Sequence, residues 1–335
     1  MAAGEIAIML LDLLVELKKT NAPYSFDAYA RYWKAQIDGG YGSCNFMSVG
    51  RDAKGCPPGM KPGYINGGSR RTLQALQQSP SATGEHRKAL AADVNCLVAA
   101  THFLPLFLTI TDEESLVHEA KQTVYLSHKN ADPVAAAEFL ARALYRIIHH
   151  DTPLEQALTE AAAKTNHPPL NKWLRDAQAK VAEVLDPTSS LSKEEFVDDL
   201  AITSISRLWD VGKSEPIKIG KFNRNDHTLL CICAAACVVP HRSERHTGKA
   251  SPTEGALPSS IYFALKYQND LEAALIANAN CGGDSAARGI VIGMLLGSSN
   301  KIPADHRWRA GLTALPHVQE QLDFLSASLS PSSEL

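Results

Sequence analysis

The twelve residues Asn278 to Gly289, Asn-Ala-Asn-Cys-Gly-Gly-Asp-Ser-Ala-Ala-Arg-Gly, restrict what this chain can fold into more than any other stretch. An alanine-rich run of helical character, Leu271 to Ala279, stops at a Gly-Gly pair, and a second helical run continues from Asp284 through the apolar residues Ile290 to Leu296. The pattern predicts a turn between two packed helices. Gly282 and Gly283 can take positive φ and let the backbone pass close to something, and Asp284 has the chemistry to cap the helix behind it. Gly289, Gly293 and Gly297 recur every four residues, so one face of that helix has almost no side chain and another backbone can approach it closely. A glycine in a helix interior costs about 1 kcal/mol relative to alanine, so tight packing should offset the three. From the residues alone, the turn is either a capped corner between core helices or a ligand-binding turn.

The helical period extends over most of the chain, and strand-like alternation is scarce. Met1 to Lys18 is apolar around almost its whole circumference, with Ile6, Ile8, Met9, Leu10, Leu11, Leu13, Leu14 and Leu17, which predicts a central helix. Ser25 to Trp33 reads as a capped amphipathic helix with aromatic residues toward the core. Further helices are expected over Ala89 to Leu108, broken by Pro105, and over Ala135 to Ile148, Leu154 to Lys164, Leu170 to Leu185, Lys193 to Trp209 and Ile261 to Tyr267. Glu194, Glu195, Asp198 and Asp199 fall in the first turns of one of them and read as a solvated face suited to the helix dipole. With 335 residues and 45% apolar content, one sizeable core is within reach, and residues 1–335 are read as a single all-α domain.

The period fails between residues 39 and 68, where Gly, Pro and Ser predict an irregular loop, and residues 326–335 read as a disordered tail. Ser69 would cap the helix that follows the loop. The most basic stretch is the loop Pro240 to Pro258, with His241, Arg242, Arg245, His246 and Lys249. A net charge of −3 argues against a nucleic-acid partner. The longest apolar run falls short of the roughly 20 residues that span a bilayer, so no membrane partner is expected. Seven cysteines without regular pairs and no secretory signal point to a reducing, cytoplasmic setting. Cys231, Cys233 and Cys237 lie among Leu229, Leu230, Ile232, Val238 and Val239 and read as a core helix, not a metal site.

The pattern Gly-Gly-Asp-Ser-x-x-x-Gly-x-x-x-Gly-x-Leu-Leu-Gly, with Asn280 before it and Ile302-Pro303 after it, resembles the C-terminal signature of the ADP-ribosylglycohydrolase family. The resemblance implies an all-α orthogonal multi-helix bundle. It also implies hydrolysis of an N- or O-glycosidic bond at the ribose of ADP-ribosylated substrates, with two magnesium ions held by acidic turns near both ends of the chain. ADP-ribose or a related nucleotide is the implied ligand. Carried over by motif, the ligand contacts are Gly282, Gly283 and Arg288 at the turn, Asn66, Gly67, Gly68 and Ser69 in the Gly-rich approach to a helix, Asn95, and His128. Asn95 and His102 stand where the family has an Asn-Gly-x-Ala-Met-Arg-x-x-Pro motif, with Asn95 two residues out of register. His128 lies in Leu126-Ser127-His128, similar to the family's Leu-Thr-His.

At the turn, Asp284 and Ser285 match metal ligands and Asp284 is the surviving catalytic acid, whereas Ala286 and Ala287 replace the family's next two ligands. Magnesium needs several hard oxygen donors in a strict geometry. Arg288 would repel a divalent ion and is expected to pair with Asp284. Met1 to Glu5 stands where the family has its N-terminal acidic turn, and nothing upstream matches the family's first helix. The turn is similar to a Gly-Gly-Asp-x-x-x-Arg-Gly form found in a branch close to J-type lens crystallins. Two expectations follow: a glycohydrolase or its descendant with a degenerate metal site, or a non-catalytic ADP-ribose binder or crystallin-like structural protein.

Overall fold

A computed structural model of the protein describes residues 3–38, 65–207, 249–300, 302 and 306–327. Among these the fold is all-α, as expected, and the β features amount to one isolated parallel bridge between Ala92 and His128. The helices are α1 (Ala3–Lys19), α2 (Phe26–Asp38), α3 (Gly67–Gln78), α4 (Gly84–Ala89), α5 (Glu113–Val124), α6 (Ala131–His150) and α7 (Leu154–Lys164). They continue as α8 (Pro168–Leu185), α9 (Val197–Arg207), α10 (Thr253–Lys266), α11 (Leu271–Asn280), α12 (Ser285–Asn300), α13 (Arg307–Ala310) and α14 (Leu315–Ala327).

Apolar residues around most of α1 send it inward. Ile6, Met9, Leu10, Leu11, Leu13, Leu14 and Val15 are buried, and the helix packs against α2 and α14. Ser25 caps α2 by accepting from the Ala28 amide, and Tyr29 and Trp33 are fully buried on its inner face. The centre of the fold is the pair α6 and α10. α6 lies between α5 and α7, while α10 packs on α8, α9 and α12. Every residue of α10 from Gly255 to Leu265 is buried, the burial a helix needs when it is apolar all round. Its two buried serines are satisfied internally, Ser259 Oγ donating to Gly255 O and Ser260 Oγ to Ala256 O.

Several local expectations are corrected by tertiary partners. Residues 89–108 do not form a helix. The chain is irregular from Leu90 to Cys96 and then makes two short 3-10 turns, Leu97–Thr101 and Leu104–Leu108. Its backbone bonds go elsewhere: Ala92 N donates to Ser127 O, Ala92 O accepts from Lys129 N, and Leu97 N donates to Ser251 O. α10 begins at Thr253, ahead of the expected Ile261, and runs through Pro258, because Asn95 Oδ1 accepts from the Thr253 amide and starts the helix early. Asn66, not Ser69, caps α3: its Oδ1 accepts from Ser69 N at 2.8 Å.

α9 starts at Val197, later than Lys193. Asp198 is not part of a solvated face, since it accepts from Tyr262 OH, Lys266 Nζ and Tyr267 OH at 2.6–2.7 Å. Gly289 faces side chains of α11, Asn278 and Leu275, where another backbone was expected, and a Cβ on Gly293 would meet none of the described atoms within 4 Å. Residues 39–64, the cysteine-rich run 231–237, residues 240–248 of the basic loop and residues 328–335 lie outside the described residues. Among the described residues, no helix is long and apolar enough to cross a membrane.

Candidate functional site

The Gly-Gly-Asp corner takes the form its residues dictate. Gly282 and Gly283 have φ of 68° and 69°, the left-handed region that glycine enters without steric cost. A Cβ on Gly283 would lie 2.3 Å from the backbone oxygen of Lys249, so the corner passes directly against that segment. Asp284 caps α12 with Oδ1 on the Ala287 amide, and its Oδ2 accepts from Ser251 Oγ at 2.6 Å.

Arg288 is fully buried, and its guanidinium bonds neutral groups rather than the Asp284 carboxylate. Nε donates to Asn278 Oδ1 at 2.8 Å, Nη1 to Lys249 O at 3.1 Å, and Nη2 to Gly282 O at 2.6 Å. Burial lowers its pKa from the ordinary arginine value, while Cys281 and Asp284 nearby favour the charge. The guanidinium therefore braces the corner from inside. Lys249 itself pairs with Asp199.

The starts of α3, α6, α10 and α12 are linked through the irregular segment 90–97. Thr72 of α3 donates to Ser127 O and accepts from Ala92 N. Asn130 caps α6 through Asp132 N and donates to Asp93 Oδ1. Asn95 joins three groups: its Nδ2 donates to Asp132 Oδ2 at 2.8 Å and Glu254 Oε2 at 2.5 Å, and its Oδ1 accepts from Thr253 N at 2.9 Å. Through Leu97 N on Ser251 O and Ser251 Oγ on Asp284, the same network reaches the corner. Four helix N-termini, each with partial positive charge, belong to this one network.

His128 sits in it, buried, with Nδ1 2.8 Å from Ser127 Oγ. A Cβ on Gly68 would fall 2.2 Å from His128 Nε2, so the imidazole rests on the α3 backbone where only glycine leaves room. Nearby polar atoms are buried without a hydrogen-bond partner among the described residues: Asn66 Nδ2, Ser69 Oγ, both ring nitrogens of His102, and Thr253 Oγ1. Native interiors seldom leave such groups unpaired except where water, an ion or a ligand meets them.

Burial pushes the His102 imidazole down to about 3, with nearby His128 acting in the same direction, and pushes His128 down to about 4. Both rings are neutral in the fold at pH 7, while in the unfolded chain they take up protons as the pH falls through about 6.5. Between those limits the unfolded state binds more protons, so stability present above 6.5 is lost on acidification. By pH 4.5 each ring is expected to account for about 2–3 kcal/mol of that loss. Thermal melts between pH 7 and pH 4.5 check it: His102→Leu should melt with a visibly weaker acid dependence than the wild type, and an identical dependence would rule the effect out.

Magnesium, implied by the family resemblance, fits these residues poorly. Both oxygens of Asp284 already accept hydrogen bonds, Ala286 and Ala287 offer no donor atom, and the Arg288 cation is buried within the same corner. Ser285 begins α12 beside them, and its backbone oxygen accepts from Asn278 Nδ2. Among the described residues, no three His, Cys, Asp or Glu side chains gather where they could hold a metal ion.

The structure brings Asn66, Gly67, Gly68, Ser69, Asn95 and His128 into this network, with Gly282, Gly283, Asp284 and Ser285 at its other end. Arg288 is occupied inside the corner. Asp132, Glu254, Ser251 and Thr253 also join this network, although none of them was expected from the sequence. The available signal was an acid in the first turn of each of two helices, which also reads as ordinary dipole chemistry.

The sequence profile of a family described as ADP-ribosylglycohydrolase matches residues 3–332. No curated protein matches the sequence. A solved structure described as an ADP-ribosylglycohydrolase-related protein complex superposes with a TM-score of 0.55, covering 97% of this chain and 80% of that one, at 14% sequence identity. That likeness shows a shared fold.

Proposed function

Since the chain belongs to the ADP-ribosylglycohydrolase family, we propose that its network of helix N-termini holds the ADP-ribosyl group of a substrate, or a related nucleotide, without a divalent metal. The reaction class is hydrolysis of the glycosidic bond at the ribose. The observation that carries the reading is the set of buried polar atoms on Asn66, Ser69, His102 and Thr253 that have no hydrogen-bond partner among the described residues, the first three close to His128 and Thr253 on Asn95. Backbone amides at helix starts suit a pyrophosphate, and Asn66 and Ser69 offer the neutral hydrogen-bonding groups that ribose hydroxyls need. Arg288 supports the metal-free part of the reading, because it supplies a fixed positive charge in the corner where a dication would be repelled.

Calorimetric titration of ADP-ribose into the protein, with and without magnesium, tests this. Binding of equal affinity in both buffers is expected, and magnesium alone should leave the melting temperature unmoved. A rise that grows with magnesium concentration would contradict the metal-free site. Asp284→Ala removes the cap and the Ser251 contact together, and its affinity should fall at least tenfold for a stability loss of about 1 kcal/mol. Unchanged affinity would place the corner outside the site. No binding by the wild type at millimolar ADP-ribose would overturn the reading in favour of a structural role.

A further inference from the structure

Resting on that reading, we propose that Asp132 and Glu254, tied together by Asn95, form the acid–base pair that cleaves the glycosidic bond in this chain. One amide nitrogen bonds an oxygen of each carboxylate, at 2.8 and 2.5 Å, so the two acids stand side by side although 122 residues separate them in sequence. Asp132 pairs on its other oxygen with His167 Nε2 at 2.9 Å, and that imidazole is only partly buried, giving a route for protons toward solvent.

A purely structural explanation exists for each acid alone, since both lie in the first turn of a helix. It does not explain why both carboxyl groups are drawn onto a single amide; helix dipoles would be served equally well with the acids apart. A second observation points to a ligand here. Thr253, whose backbone amide is on Asn95 and whose neighbour is Glu254, is fully buried, and its hydroxyl has no hydrogen-bond partner among the described residues. The Ser251–Asp284 contact lies two residues before it, and His128 is reached from Asn95 along the paired segments 92–95 and 128–132.

The step balances without metal or redox partner. Asp132 takes a proton from water as the water oxygen bonds to the anomeric carbon of the ribose. The bond from that carbon to the leaving nitrogen or oxygen breaks, and its electron pair stays on the leaving atom. That atom takes a proton from the Glu254 carboxyl group. The products are a ribose hydroxyl and a protonated leaving group, and the pair is reset by proton exchange through His167. Glycosidic hydrolysis elsewhere rests on two carboxyl groups dividing these roles.

The experiment follows release of ADP-ribose from O-linked and N-linked ADP-ribosyl peptides, beside calorimetric affinity for ADP-ribose. Wild type should turn over one of the two linkages. Asp132→Asn and Glu254→Gln should each lose at least 100-fold in kcat, with ADP-ribose affinity kept within threefold. The pH–rate profile should lose its acidic limb in the first variant and its basic limb in the second. Asp132→Glu and Glu254→Asp keep the charge at each helix start and should fold yet remain impaired, which separates chemistry from stability. Binding without wild-type turnover, or neutral variants within tenfold of wild type, would overturn the pair while leaving the binding reading intact. No binding by the wild type would remove the reading itself, and the pair with it.

Discussion

Arg288→Met should destabilise the fold by about 2–5 kcal/mol, because buried neutral acceptors lose a charged donor and each one left unsatisfied costs about 1–3 kcal/mol. Methionine fills much of the volume but leaves Asn278 Oδ1, Lys249 O and Gly282 O without the donor that joins them. These three acceptors belong to three separate pieces of chain: the end of α11, the glycine corner, and the segment leading to α10. Losing the guanidinium frees each from the others, so ADP-ribose affinity should fall with stability. Arg288→Lys should rescue little, because an ammonium cannot reproduce a planar fork spread over several acceptors. Urea unfolding of the three proteins measures the effect, and a loss below about 1 kcal/mol for methionine would mean the network contributes no more than an ordinary hydrogen bond.

Gly68→Ala should damage the site through a single added methyl group. The added Cβ would lie 2.2 Å from Nε2 and 2.4 Å from Cε1 of His128. That ring is 1% exposed and tethered through Nδ1 to Ser127, so it cannot swing away into solvent. Either α3 or the segment carrying His128 must move, at about 1–3 kcal/mol for an overpacked interior. Because Asn66 and Ser69 flank the clash, ADP-ribose affinity should drop about 100-fold even in the folded fraction, equivalent to roughly 2.7 kcal/mol. A variant that binds normally would show that this face of α3 is not where the ligand lies.

Much of this arrangement was legible in the sequence where local chemistry decides. Apolar residues around α1, the Ser25 cap, and the Gly282–Gly283–Asp284 corner follow from propensity, period and capping, and the structure shows each of them. The failures share one cause. Residues 90–108 look helical by composition, but their backbone groups find partners in Ser127, Lys129 and Ser251. α10 starts eight residues early because Asn95, 158 residues away, caps it. Arg288 was expected to pair with the nearest acid, and instead it serves carbonyls that a one-dimensional reading cannot place. The acids Asp132 and Glu254 were visible as residues but not as neighbours, since only the folded chain puts one amide between them.

Lys249 contributes to the corner through its main chain: its carbonyl oxygen accepts from Asp284 N and Arg288 Nη1, and its backbone lies against Gly283. Every amino acid offers that same oxygen. A substitution scan would therefore score position 249 as permissive, losing at most the side-chain pairing with Asp199, whereas adding or deleting one residue just before Ser251 would shift the carbonyl out of register and open the corner. The site is in this respect indifferent to spelling and strict about length.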